Sequence, residues 1–104
     1  MANMTFEQAR QNIGMLFTRL GDTPGEVASN LKKARIRGER GSESSCPLGI
    51  GIGRILTRNI KYTIWAEVLF LFEDTRMEAV SLPSSVVQFI QNFDAGAYGD
   101  LARE

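Results

Sequence analysis

Histidine is absent from the 104 residues. With it go the commonest general base and every Ser-His-Asp or Cys-His arrangement. Cysteine occurs once, as Cys46, so no internal disulfide can form, and zinc sets of four cysteines or of cysteines with histidines are out of reach. Neither a metal nor a cofactor is expected. No run of about 18 apolar residues occurs, and Met1-Ala2-Asn3-Met4 lacks the charged-then-apolar order of an export signal. A cytoplasmic location and no membrane partner are the expectations.

An excess of one charge is also missing, since twelve Lys and Arg meet twelve Asp and Glu. At 43% apolar residues this balance argues against a disordered tail or a polyanion-binding arm, either of which needs large net charge and few hydrophobes. The length predicts one small globular domain over residues 1–104.

What is present is helical punctuation. Thr5-Phe6-Glu7-Gln8 has capping-box spacing, after which Phe6, Ala9, Ile13, Leu16, Phe17 and Leu20 recur with the period of a helix until Gly21 stops it. Thr23-Pro24-Gly25-Glu26 repeats the signal and predicts a second helix with Val27, Ala28 and Leu31 inward, completing a helical hairpin. Residues 36–45 have the Gly and Ser content of an exposed loop. Pro47 then suits the first position of a third helix capped by Ser45 or Cys46, with Leu48, Ile52, Ile55 and Leu56 on one side. Gly49, Gly51 and Gly53 weaken that helix by about 1 kcal/mol each, and so require a close packing partner or a ligand.

Ile60 to Phe72 alternates as one long strand, with Ile60, Tyr62 and Ile64 on one face and Lys61, Thr63 and Trp65 on the other. Glu73–Arg76 reads as a turn and Met77–Leu82 as a shorter returning strand, making a β-hairpin. Pro83 opens a fourth helix with Val86, Val87, Ile90 and Phe93 inward, and Tyr98 with Leu101 marks a last short turn. The predicted class is α+β: an N-terminal helical hairpin, a helix started by Cys-Pro, a β-hairpin and C-terminal helices.

The zero net charge conceals a dipole. Residues 32–61 carry eight basic side chains against Glu39 and Glu43, a local balance of +6, while residues 62–104 stand at −5. Such a field steers an acidic partner or a nucleic acid toward the middle of the chain. Arg35, Arg37, Arg40, Arg54 and Arg58 are the candidate anchors, because a guanidinium pairs two oxygens at once. The competing structural reading places these cations at helix C-termini, where the dipole favours them. The basic stretch has no aromatic residues to stack on bases, which counts against single-strand binding.

Cys46 is the one nucleophile with a physical case, since unpaired N–H groups at a helix N-terminus favour thiolate. A small buried hydrophobe is the commoner fate of a lone cysteine. The Cys-and-Arg spacing of a phosphatase loop fails, as Arg54 lies too far on. With Arg37 and Arg40, the N–H groups of residues 42–49 make a candidate anion cradle. Gly49-Ile50-Gly51-Ile52-Gly53 matches neither the dinucleotide fingerprint nor the P-loop.

The Gly-rich basic loop, Cys46-Pro47-Leu48, Leu82-Pro83 with Val86-Val87-Gln88-Phe89-Ile90, and Phe93-Asp94-Ala95-Gly96-Ala97-Tyr98 together resemble short proteins of actinobacteria and their phages that carry no assigned activity. Gly49, Gly51 and Gly53 depart from that pattern. The resemblance implies a small α+β domain of mobile-element origin and transfers no functional residue.

These readings converge on a non-enzymatic binding protein, an inhibitor or accessory factor that docks on a protein through its basic loop and apolar strand. Nucleic-acid or nucleotide binding by residues 32–61 is the alternative, and a Cys46-dependent enzyme the minor one. Trp65, Leu69 and Leu71, taken to share an exposed strand face, predict a homodimer.

Overall fold

The computed structural model of the chain describes residues 3–41 and 45–102. Helix α1 spans Phe6–Leu20. The Thr5 hydroxyl accepts the Gln8 N–H at 3.1 Å and the Gln8 side chain accepts the Thr5 N–H at 2.9 Å, so two orphan donors are satisfied reciprocally. Gly21 ends the helix at φ 110°. Helix α2, Pro24–Lys33, starts from Thr23, whose hydroxyl accepts the Glu26 N–H and donates to the Glu26 carboxylate. The Asn30 amide donates to the carbonyls of Arg19 and Leu20, fastening α2 to the end of α1.

Helix α3 covers Pro47–Gly53, with Cys46 as the capping residue. Strands β1 (Lys61–Trp65), β2 (Val68–Glu73) and β3 (Arg76–Ser81) form an antiparallel meander in the order β1-β2-β3. Helix α4, Ser84–Asp94, follows Pro83, and a 3-10 turn covers Gly99–Leu101. The Ser85 hydroxyl donates to the Gly21 carbonyl, joining α4 to the α1–α2 turn. The predicted α+β class holds, with helices at both ends of the chain and the antiparallel sheet between them.

The long strand is the main correction. A two-residue turn at Ala66-Glu67 divides residues 60–72, with Ala66 in the left-handed region at φ 55°, so the sheet has three strands instead of two. In the resulting register Tyr62 faces Leu71 and Ile64 faces Leu69. Even positions of β1 therefore share a face with odd positions of β2. That face is the core side, because Ile64, Leu69 and Leu71 are buried with Phe17, Leu31, Leu48, Phe89 and Phe93 in one cluster. Leu69 and Leu71 are fully buried, so the exposed patch with Trp65 predicted from a continuous strand does not form.

Residues 36–41 are also less loop-like than their composition suggests. Ile36 is buried, Gly38 donates to the Leu101 carbonyl at 2.8 Å and forms a parallel bridge with Ala102, and Glu39 donates to Ser45. A Cβ on Gly38 would overlap the main chain of residues 45–47, which is why glycine stands there. Ser42, Glu43 and Ser44, part of the predicted anion cradle, lie outside the described residues.

Candidate functional site

Arg40 and Arg54, of the five candidate arginines, make hydrogen bonds to helix-end carbonyls within the fold. The Arg40 guanidinium donates from Nη1 to the carbonyls of Phe93 and Ala97 and stacks 4.5 Å over the Phe93 ring, closing the C-terminus of α4. Arg54 donates to the Ala34 carbonyl at the end of α2. Both follow the helix-end reading, in which a cation meets unpaired carbonyls and the negative end of the dipole.

A second group does gather. Lys32, Arg35 and Arg37 line a recess of about 560 Å³ between the end of α2 and the 3-10 turn, together with Asp100. The Lys32 ammonium lies 2.7 Å from the Asp100 carboxylate. Its hydrogen bond, then its charge, then the charge of Arg37 hold the Asp100 carboxyl below the usual range. Both partners of this ion pair are exposed, so it adds little to stability. Arg58 stands apart, in the segment between α3 and β1, and lines a shallower recess with Gly53 and Tyr62.

Cys46 is 3% exposed. Its Sγ accepts the Gly49 N–H at 3.3 Å, an interaction that favours thiolate, but burial is the larger effect and pushes the thiol above its ordinary value. Desolvation thus outweighs the helix terminus here. The thiol lines a cleft with Glu67 and Asp94 and no described arginine, while Arg40 is directed at the Phe93 and Ala97 carbonyls and residues 42–44 of the expected cradle lie outside the described residues. Among the described residues no group of three or more Cys, Asp or Glu is placed to hold a metal ion, and no helix is long and apolar enough to cross a membrane.

Of the glycines of α3, Gly53 is the one whose place in the packing excludes a side chain. A Cβ at Gly53 would meet the Tyr62 hydroxyl of β1, whereas one at Gly51 would make ordinary contacts with Ile36 and Leu31. The close approach of α3 to the first strand is the packing alternative that the glycine run raised.

The surface that sequence reasoning misplaced is the outer face of the sheet. The register sets Lys61, Phe72 and Met77 in one row across it, Thr63, Phe70 and Ala79 in the next, and Trp65, Val68 and Ser81 in the last. Val68, Phe70 and Phe72 are half-buried, although none of them belongs to the core cluster or packs against it. Trp65 is 65% exposed and Met77 60%. Lys61 is the one charged residue in these three rows. The signal lay in β2, whose two faces are both apolar, a pattern that one buried face does not require.

A three-stranded antiparallel meander with helices on one side and an open apolar face on the other is the class of structure these observations define. No family model, no curated protein and no solved structure matches the chain.

Proposed function

We propose that this chain is a non-enzymatic binding protein, an inhibitor or accessory factor, whose contact surface is the outer face of its sheet. The observation that carries the reading is the row of Val68, Phe70 and Phe72 along β2, flanked by the exposed side chains of Trp65 and Met77. Aromatic residues and methionine are enriched at interfaces, and a contiguous apolar patch of this kind on a small domain marks a place where something binds. The face has moved from the residues predicted for it: Trp65 remains, and Phe70, Phe72 and Met77 take the places assigned to Leu69 and Leu71.

A protein is the favoured partner. A nucleic-acid platform would need cations beside its aromatic residues to meet phosphates, and the rows offer Lys61 alone, with Glu67 and Asp74 at the neighbouring turns. The recess of Lys32, Arg35 and Arg37 favours a second reading, anion or nucleotide binding, that uses a different surface.

Affinity capture with the wild-type chain, Phe70→Ser with Trp65→Ala, and Arg35→Ala with Arg37→Ala separates the readings. A stoichiometric protein complex lost only with the sheet variant is the expected result. Loss only with the arginine variant, accompanied by a steep fall in binding as salt rises, would transfer the function to the basic recess. Identical retention by all three chains would remove both readings. A concentration-dependent mass of twice 11.5 kDa would identify the partner as a second copy.

A further inference from the structure

A cleft of about 600 Å³ separates α4 from the β1–β2 turn, on a different part of the molecule from the basic recess. Its apolar lining includes Ile64, Val87 and Ile90, with the first residue of β2, Val68, at its edge, and the buried Cys46 also borders it. Val87 and Ile90 follow the helix period on the flank of α4 beside the buried stripe of Val86, Phe89 and Phe93; both pack partly against the core, and their remaining exposed surface borders the cleft. The volume falls within the range of small-molecule sites, whose usual composition is an apolar wall with a few polar groups that set orientation.

The polar groups here are of one kind. Glu67 on the turn and Asp94 at the end of α4 are both exposed and both border the cleft, joined by the neutral amide of Gln91. No Lys or Arg lines it among the described residues. Arg40, the nearest cation in sequence to Gly41 at the cleft wall, is turned to the carbonyls of Phe93 and Ala97. One oxygen of Asp94 accepts the Gly41 N–H at 2.9 Å, which fixes the carboxylate in place. The negative field reaches the floor, since Asp94 adds to burial in raising the Cys46 thiol. An anion would be repelled from this cleft, and a cationic head gains an attraction to the two carboxylates that a neutral molecule does not.

We propose that the cleft between α4 and the β1–β2 turn binds a small organic cation, a protonated amine at the end of an aliphatic chain, with the chain along Ile64, Val87 and Ile90 and the ammonium between Glu67 and Asp94. The aliphatic part removes apolar wall from water, and the carboxylates select the charged head.

The test titrates the whole chain at pH 7 with n-octylamine, octan-1-ol and octanoate, following the amide resonances of Cys46, Ile64 and Gln91 and the rate at which a disulfide reagent labels Cys46. The amine is expected to shift these resonances, to slow labelling, and to bind at least fivefold tighter than the alcohol, with octanoate weaker still. Glu67→Gln, at an exposed turn position, is expected to weaken the amine at least threefold and leave the alcohol unchanged. Equal binding of all three ligands, shifts confined to residues away from the cleft, or an amine affinity indifferent to Glu67→Gln and to Asp94→Asn would overturn the proposal.

Discussion

The Arg40 guanidinium lies 4.5 Å above the Phe93 ring and hydrogen-bonds the main chain of α4 past its end. One side chain from the basic segment therefore holds an element more than 50 residues away. Two carbonyl bonds from a charged donor and a cation–π contact are worth about 1.5–3 kcal/mol together. Arg40→Ala is expected to lower unfolding stability by that amount in urea titration, and Arg40→Lys to recover little of it, because an ammonium lacks the planar fork. Full recovery by lysine would show that charge alone acts there.

Gly38→Ala should be more severe. The added methyl meets main chain at residues 45–47, which cannot rotate away as a side chain can, and the displaced Gly38 would also lose its bridge to Ala102. A loss of at least about 2–3 kcal/mol is expected. A Gly38→Ala chain as stable as wild type to thermal unfolding would contradict the packing described for this segment.

Gly53 and Tyr62 make a testable pair. Gly53→Ala gains up to about 1 kcal/mol of helix propensity but places its methyl against the Tyr62 hydroxyl. The substitution should destabilise the wild-type chain and be neutral or stabilising in a Tyr62→Phe background, a coupling that a double-mutant cycle measures directly. Additive effects would mean that the two residues do not touch.

Ala66 occupies the left-handed region at φ 55°, a conformation that costs a non-glycine residue about 1 kcal/mol or more. Ala66→Gly should raise stability by about 0.5 kcal/mol after the entropy of glycine is subtracted. A loss of stability would place the turn elsewhere.

Cys46 supplies a pH signature. Its folded-state value is raised above 9.0 by burial, so the neutral thiol contributes its full stability below about pH 9 and loses it as pH rises toward the folded value. The advantage of wild type over Cys46→Ala in chemical denaturation should therefore stay constant up to about pH 9 and shrink above it. The Tyr62 phenol is raised by burial and by the Cys46 charge, so the comparison is made in a Tyr62→Phe background, which isolates the thiol. A difference that stays constant above that pH as well would place the sulfur in water.

The helices were legible because their signals are local. Thr5 with Gln8, Thr23 with Glu26 and the prolines at 24 and 47 act within one turn of the residues they cap. The sheet was legible as β structure and not in its register. The turn at residues 66–67 carries Ala and Glu, where the usual hairpin turn has Asn, Asp or Gly, and nothing in the alternation marks the reversal. Missing it assigns β2 to the wrong faces, which puts Leu69 and Leu71 outside and Val68, Phe70 and Phe72 inside. Gly38 and Arg40 were opaque for another reason. Their roles depend on partners brought near by the fold, and a basic loop does not disclose that one of its arginines is already engaged.

The central claim concerns the outer sheet face, and Trp65, the single tryptophan, is the native probe on it. Its emission and its quenching by acrylamide should be measured in the free chain and in the stoichiometric complex recovered by capture. A water-exposed tryptophan that moves to shorter wavelength and becomes protected in the complex is the predicted result. A complex of full stoichiometry in which Trp65 stays as exposed and as readily quenched as in the free chain would contradict it.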